Sequence, residues 1–264
     1  MNADSPVGFF DSGVGGLSIL DAFKRLCPDE KTVYIADSAN CPYGSKPAEE
    51  IVRLSRANAR KLIADHGCKM VVVACNTATA AAIDVLRREW PDIPFVGLEP
   101  AVKPAAFASK TGIVGVLATQ GTFNGRLYRE TKARFAKDVT VIATVADELV
   151  MLVEKYVKVD SPRPKLEEID EVMAAVRKRI EPILAAGADA IVLGCTHFPH
   201  LRRAIENVAS GRAIVIDPSD AVARRAKSLI VDLLCQTTAS KRMAGLEVPH
   251  FFGHENVSNP VNKG

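Results

Sequence analysis

The feature that most constrains this chain is a segment that occurs twice, ending once at Cys75 and once at Cys195. In each copy, an apolar helix end is followed by a glycine, a short apolar strand, a small residue, the cysteine and two polar side chains. Gly67 precedes Cys75 by eight positions, and Gly187 precedes Cys195 by the same eight. The apolar runs are too short for free-standing helices and are typical of buried strands. The repeat therefore predicts a duplicated fold with a thiol at one strand tip in each half.

The rest of the chain alternates strand and helix patterns, which predicts parallel sheets. Besides the runs that end at the two cysteines, strands are predicted at 7–10, 32–36, 94–100, 111–119, 139–145, 212–219 and, at a late edge, 248–253. The main helices are predicted at about 48–66, 79–89, 165–186 and 220–234. We expect an α/β fold of two similar domains, each a parallel sheet flanked by helices, related by pseudo-twofold symmetry with the active site between them. The predicted domains are 1–98 together with 217–264, and 99–216.

Composition excludes several classes of protein. The chain has 264 residues, 48% of them hydrophobic, and a net charge of only +3 without a basic run that carries aromatics. We therefore expect no nucleic-acid partner. The apolar runs are shorter than the roughly 20 residues that span a bilayer, and no signal-peptide pattern is present. This predicts a cytoplasmic protein without membrane association.

The cysteines are scattered and form no Cys-x-x-Cys pair, which argues against a disulfide framework and against a structural zinc module. Six are present, and we expect Cys27, Cys68 and Cys235 to be inert thiols because no polar residues cluster around them in the sequence. Cys41 lies in a loop rich in turn residues and has no assigned role. The two strand-tip thiols remain as candidates for chemistry.

Polar side chains follow several of the predicted strands, where ligands of parallel α/β sheets bind. They are Asp11, Ser12, Cys75, Asn76, Thr119, Cys195, Thr196 and His197. If the two sheets face each other, the two thiols lie across one cleft. Inversion of a carbon stereocentre needs two such opposed groups, one to remove a proton and one to return a proton to the other face. A thiol suits this task because its ordinary pKa of about 8.5 lies near working pH.

Five motifs carry a resemblance to a known family. They occur in the family's order over most of the chain: FFDSGVGGLSIL, ADSANCPYGSKP, VVVACNTATA, GVLATQGTF and LGCTHFPHL. This set resembles the bacterial glutamate racemases of the aspartate/glutamate racemase superfamily. The resemblance implies racemisation of glutamate by two bases, without cofactor or metal, to supply D-glutamate for peptidoglycan. It also implies a small-molecule substrate and a homodimer.

The same resemblance implies roles for individual residues. Cys75 takes the proton from the D enantiomer and Cys195 from the L enantiomer. Asp11 assists the first cysteine, His197 assists the second, and Glu154 is the acidic residue of the second domain. The predicted substrate-binding residues are Asp11, Ser12, Pro42, Tyr43, Gly44, Asn76, Thr77, Thr119, Thr196 and His197. Two places depart from the family pattern: the pair Asn40-Cys41 stands where many members have bulkier or basic residues, and Phe198 replaces the more usual tyrosine.

Alternatives stay open at this point. The loop at 11–13 is also compatible with a phosphate cradle at a helix N-terminus, although it lacks the spacing of the nucleotide-binding motifs. Zinc held by Cys75, Cys195 and His197 is conceivable, without a local ligand pair to support it. The fold also serves aspartate racemases and single-cysteine enzymes, and a two-lobed protein that only binds a small anion is a further alternative.

Overall fold

The computed structural model describes residues 4–136 and 138–243. Each half of it contains four strands and the helices between them. The first half contains β1 (Val7–Asp11), α1 (Leu17–Leu26), β2 (Thr32–Ala36), α2 (Ala48–Arg60), β3 (Met70–Val73), α3 (Asn76–Glu89) and β4 (Phe95–Val96). The remainder contains α4 (Val102–Ala108), β5 (Ile113–Ala118), α5 (Gln120–Asn124), α6 (Arg126–Phe135), β6 (Thr140–Val145), α7 (Asp147–Tyr156), α8 (Asp170–Ala185), β7 (Ala190–Leu193), α9 (Arg202–Ala209), β8 (Ile214–Ile216) and α10 (Ser219–Met243).

Both sheets are parallel and have the same strand order. The first runs β2-β1-β3-β4 and the second β6-β5-β7-β8. In the first, Phe10 pairs with Val73, and in the second, Leu117 pairs with Leu193. The two central strands of each sheet thus end side by side. This confirms the predicted fold class of two similar parallel sheets flanked by helices.

Each of the two repeated glycines follows a helix end and has a left-handed backbone conformation. Gly67 and Gly187 adopt left-handed conformations, with φ of +62° and +86°. At the end of α8, the N–H of Ala188 donates to the carbonyl of Ile183 and that of Gly187 to Leu184, the pattern of a Schellman cap. A residue with a side chain is strained at such a φ, whereas glycine is not. The glycine therefore helps to set the angle between each helix and the thiol-bearing strand that follows it.

The central strands are buried on both faces because helices cover them. Val7 and Phe9 face a large apolar cluster that also contains residues of the second sheet, whereas Phe10 faces a cluster beneath α2 and α3. A third cluster lies beneath α4 and α6. The large cluster joins the two halves through a continuous apolar core.

Several element boundaries differ from the sequence prediction. Helix α3 begins at Asn76 rather than near 79, because Cys75 itself caps it. The helix predicted to reach residue 66 ends at Arg60 and continues as one wider turn, Lys61–Asp65. The helix predicted from 165 begins at Asp170, after a short turn at Leu166–Glu168. Helix α4 was not predicted, and the predicted late strand at 248–253 lies outside the described residues.

Helix α10 packs along α1, with an ion pair between Arg25 and Asp220 at 3.1 Å. This contact agrees with the expected return of the chain to its first half, while the domain boundaries themselves stay a prediction. In the described residues, no helix combines the length and apolarity needed to cross a lipid bilayer.

Candidate active site

The carboxyl ends of the central strands meet at one pocket between the two sheets. The first half contributes Ser12, Pro42, Tyr43, Gly44, Cys75, Asn76 and Thr77 to its lining. The second half contributes Thr119, Val150, Cys195, Thr196 and His197. The pocket is small, about 240 Å³ even when space open to solvent is counted. Its size suits a small metabolite.

The structure brings the predicted site residues together. Eleven of the thirteen line the pocket, and the other two, Asp11 and Glu154, contact lining residues from behind. The lining residue that sequence reasoning missed is Val150, on α7. No signal in the sequence distinguishes it from the other apolar residues of that helix.

Cys75 lies between β3 and α3, buried, with its sulfur at the helix N-terminus. Its Sγ accepts a hydrogen bond from the N–H of Ala78 at 3.5 Å and donates to Ser12 Oγ at 3.8 Å. Burial raises the pKa of Cys75, and the charge of Asp11 raises it further. With these protein groups around it, Cys75 therefore carries its proton at neutral pH.

Asp11, at the end of β1, is a buried carboxyl group that ties the two halves together. It accepts hydrogen bonds from Ser12 Oγ at 3.1 Å, from Thr196 Oγ1 at 3.0 Å and from the N–H of Gly16. Burial raises the pKa of Asp11, although the neighbouring His197 opposes this. The carboxyl group thus lies behind Cys75 and holds the loop of the other thiol through Thr196.

Cys195 lies at the start of a chain of polar groups. Its Sγ is 3.7 Å from Nδ1 of His197, and Nε2 of His197 donates to Glu154 Oε1 at 2.7 Å. The N–H of Val14 also donates to that oxygen, at 2.8 Å. Burial disfavours a charged ring, but hydrogen bonds to Cys195, Cys41 and Glu154 outweigh it and hold the pKa of His197 well above 6.5. An imidazolium therefore faces the sulfur of Cys195.

Glu154 stays ionised beside this ring. Burial works against its charge, but the hydrogen bonds and charge of His197 lower the pKa of Glu154 overall. Two glycines allow the approach: a Cβ at Gly13 would lie 1.8 Å from Glu154 Oε1, and one at Gly15 would lie 2.4 Å from His197 Nδ1. The loop at 11–16 is thus a close-packed wall for the histidine and its partner, which accounts for its glycines without a phosphate.

Several polar groups that line the pocket are available to hydrogen-bond a ligand. Both polar atoms of the buried Asn76 side chain lack a hydrogen-bond partner among the described residues. Asn76 is the first residue of α3, where the helix dipole and free backbone N–H groups favour an anion. Nearby, Thr77 and Thr119 share a hydrogen bond of 2.9 Å across the pocket. An unpartnered buried amide costs free energy that a bound ligand recovers.

The loop between β2 and α2 brings Tyr43 and Gly44 to the pocket. The hydroxyl of Tyr43 donates to Asp37 Oδ2 at 2.5 Å, and Asn58 donates to the same oxygen at 3.3 Å. A Cβ at Gly44 would lie 2.9 Å from the side chain of Thr119, so the loop backbone touches the second half directly. Cys41, in the same loop, lies beside Glu154 and His197.

Comparison with known proteins decides the family. The model of the Asp/Glu/Hydantoin racemases matches residues 15–226, which is most of the chain. The chain belongs to the Asp/Glu/Hydantoin racemase family. This confirms the superfamily that the motif set predicts, and it confirms that this member is an enzyme of the racemase class.

Curated members of this racemase family are similar to the chain over most of its length. A glutamate racemase of Roseiflexus sp. (strain RS-1) is 45% identical over 225 residues, covering 85% of this chain and 79% of the relative. A glutamate racemase of Pseudomonas syringae pv. tomato is 42% identical over 231 residues, covering 86% and 79%.

Solved racemase structures share the fold. Escherichia coli glutamate racemase, in complex with L-glutamate and the activator UDP-MurNAc-ala, superimposes with a TM-score of 0.76 at 36% identity, covering 86% of this chain and 82% of that one. Glutamate racemase of Francisella tularensis, in complex with D-glutamate, gives 0.72 at 27% identity, covering 88% and 82%.

Proposed function

We propose that this chain interconverts L-glutamate and D-glutamate by a cofactor-independent mechanism in which Cys75 and Cys195 are the two bases. The observation that carries the proposal is the placement of two thiols at equivalent strand tips of two sheets, both lining one small pocket. They are close enough for charge on Cys195 to affect Cys75. The relatives named glutamate racemase support glutamate as the substrate, since both enantiomers occur in their complexes.

Substrate carboxylates bind to the unpartnered polar groups of the pocket. Asn76 offers its amide, and the N-terminus of α3 offers backbone N–H groups. The hydroxyls of Ser12, Thr77, Thr119 and Thr196, together with Pro42, Tyr43 and Gly44, complete the walls. These contacts orient the α-carbon between the two sulfurs. They also stabilise the negative charge that spreads onto the α-carboxylate when the proton leaves.

The reaction removes the proton from one face of the α-carbon and returns a proton to the opposite face. From D-glutamate, the thiolate of Cys75 takes the α-proton, and the electron pair left on carbon takes the proton of the Cys195 thiol on the opposite face. The products are L-glutamate, a Cys75 thiol and a Cys195 thiolate, and the reverse reaction retraces these steps. The raised pKa of Cys75 means that its thiolate forms only with help. The ammonium group of the substrate supplies a nearby positive charge that favours it.

The two thiols have different assistants. Asp11, behind Cys75, accepts or holds the proton that Cys75 gives up before reaction. His197, charged and held by Glu154, donates from Nδ1 to the sulfur of Cys195 and stabilises negative charge there. Glu154 acts through His197 and is a positioning residue. The supply of D-glutamate to peptidoglycan, the cytoplasmic location and the homodimer stay predictions.

The direct test uses circular dichroism to follow L-glutamate and, separately, D-glutamate in D₂O without added pyridoxal phosphate. We expect loss of optical signal from either enantiomer and deuterium at the α-carbon. Cys75→Ser and Cys195→Ser should each lower kcat in both directions by at least about 10²-fold. A general acid or base usually contributes about 10²–10⁴-fold to the rate. Glutamate should still bind to both variants.

The matched control is Cys27→Ser, which removes a half-buried thiol outside the pocket lining and should leave turnover unchanged. Retained turnover in either strand-tip variant contradicts the two-base assignment. Racemisation of aspartate in place of glutamate keeps the mechanism and overturns the substrate. Binding without turnover in the unmodified chain favours the anion-binding alternative.

A further inference from the structure

A cluster of three metal-ligating side chains adjoins the pocket and has no role in the proposed reaction as a unit. Within the residues that the structure describes, Cys41, Glu154 and His197 are the one such group: a sulfur, a carboxylate oxygen and a ring nitrogen lie within 4.8 Å of one another. The sulfur of Cys41 lies close enough to both of the others to affect their pKa values. The three come from a loop, from α7 and from the segment after β7, so the fold alone brings them together.

We propose that Cys41, Glu154 and His197 form a binding site for a thiophilic divalent cation of the Zn²⁺ type. Thiolate, imidazole and carboxylate are the ligands that zinc prefers, and three protein ligands leave a fourth position for water, as in open zinc sites. Magnesium and calcium prefer sites built only from oxygen and are disfavoured by the thiol.

The geometry needs only a small adjustment. Zinc bond lengths in a tetrahedral site place ligand atoms about 3.4–3.6 Å apart. The limit of 4.8 Å within the cluster includes this range, whereas the 2.7 Å between His197 and Glu154 must widen by about 0.7 Å. Cys41 lies between two short turns, Ser38–Asn40 and Tyr43–Ser45, outside any strand or long helix. Its loop therefore adjusts more readily than a sheet residue would.

A path to the site exists. Cys41 is half-buried, and the side chain of Glu154 is 13% exposed, whereas His197 is buried. A hydrated cation therefore meets Cys41 and Glu154 before it reaches the ring.

The expected effect of the metal on activity depends on the proposed function, whereas binding of the metal does not. A cation at this site takes the place of the proton on the ring nitrogen of His197 that bonds to Glu154, and this proton and that of the Cys41 thiol leave to solvent. The partner of Cys195 is then fixed by metal instead of by the carboxylate. We therefore expect Zn²⁺ to inhibit racemisation reversibly, with a chelator restoring the rate.

The experiment measures metal binding to the full chain with Zn²⁺ in competition with a chromogenic chelator, and with Co²⁺ by absorption. The variants are Cys41→Ser and Cys41→Ala, so that a folding defect in one does not end the test. The matched control is Cys235→Ser, which removes an exposed thiol outside the cluster. Thermal unfolding without metal checks each variant, and inhibition is scored against each variant's own rate without metal.

We expect the unmodified chain and Cys235→Ser to bind one Zn²⁺ per chain and to show a thiolate-to-cobalt absorption band. Both Cys41 variants should bind more than about tenfold more weakly and lose the band. Unchanged affinity in the Cys41 variants overturns the proposal, as does absence of binding to the unmodified chain. A band that survives loss of Cys41 but not Cys195→Ser assigns the metal to the catalytic thiol instead. A chain without racemase activity refutes the proposed function while leaving the binding result intact.

Discussion

At the scale of single residues, the two thiols occupy equivalent strand tips but unlike surroundings. Cys75 lies against the hydroxyl of Ser12 with the buried carboxyl group of Asp11 nearby, and its pKa is raised by burial. Cys195 lies against a histidine that is held charged by Glu154. The proposed reaction is symmetric in its chemistry, yet the two half-reactions use different assistants.

This asymmetry predicts the effect of His197→Asn. We expect kcat for L-glutamate to fall by about 10²-fold and kcat for D-glutamate to fall less, because in the proposed mechanism His197 assists the base that acts on the L enantiomer. The enantiomers have equal free energy, so kcat/KM must stay equal in the two directions and KM for L-glutamate must change in step. Initial rates at saturating concentrations of each enantiomer measure this. An equal fall of kcat in both directions would show that His197 only binds substrate.

The close approach of the loop at 11–16 predicts the effect of Gly15→Ala. The added Cβ would lie 2.4 Å from Nδ1 of His197, so the buried ring must move away from Cys195. We expect kcat to fall by more than about tenfold, since small displacements of catalytic groups have large effects on rate. Circular dichroism should show an intact fold.

The matched control for that variant is Gly187→Ala, which strains a backbone at φ +86° without approaching the pocket. It should lower the free energy of unfolding by about 1–2 kcal/mol and leave kcat unchanged. If Gly15→Ala keeps full activity, the histidine does not need the position that the structure shows.

At the scale of elements, short loops fix where strands begin. Asp189, just before β7, accepts hydrogen bonds from Ser109 Oγ and from the N–H groups of Lys110 and Thr111, which lead into β5. Burial opposes its charge, but these bonds lower the pKa of Asp189 to about 2. One carboxylate therefore ties together the loops that precede the two central strands of the second sheet.

We expect Asp189→Asn to lower the free energy of unfolding by about 1–3 kcal/mol at pH 7, because the amide turns a donor toward groups that themselves donate. Since the pKa of Asp189 is lowered on folding, its contribution is complete above 3.8 and is lost as pH falls toward about 2. The difference from the unmodified chain should be equal at pH 7 and pH 5 and smaller at pH 3.

Urea unfolding at the three pH values measures this difference. Exposed Asp160→Asn serves as the control and should change stability by less than about 0.5 kcal/mol. A difference that stays constant down to pH 3 would contradict the role assigned to the carboxylate.

At the scale of the whole molecule, polar contacts close the pocket from both sides. Thr77 meets Thr119, Asp11 accepts from Thr196, and Glu154 accepts from Val14, each across the two halves. With these contacts in place, the pocket of about 240 Å³ is narrow. We expect the halves to part for the proposed substrate to enter and then to close around it.

This predicts compaction on binding. We expect the radius of gyration from small-angle scattering to fall when Cys75→Ser is saturated with glutamate, since that variant should bind without turnover. Lysine, which places a positive group where the pocket binds a carboxylate, serves as the control and should cause no change. An unchanged radius with glutamate would count against closure.

Much of the fold follows from local pattern. The glycine, the apolar run and the cysteine lie within nine residues of one another, so Gly67 and Gly187 predict two equivalent helix ends, strands and thiol tips. The motif set predicted the family for the same reason, because it consists of strand ends and the turns that follow them. Helix α4 was not predicted from the sequence. Its seven residues, which begin after Pro100, are too few to show a helical period.

The sequence by itself determined the strands, the thiols at their tips and the side chains that follow them, because hydrophobic period and turn residues act between neighbours in the chain. Only the tertiary structure decided that Glu154 holds His197, that Cys41 joins them and that Val150 lines the pocket. These contacts join residues 43 or more positions apart or select one apolar residue of a helix from its neighbours. They depend on how helices, loops and sheets pack together, and no local pattern encodes that packing.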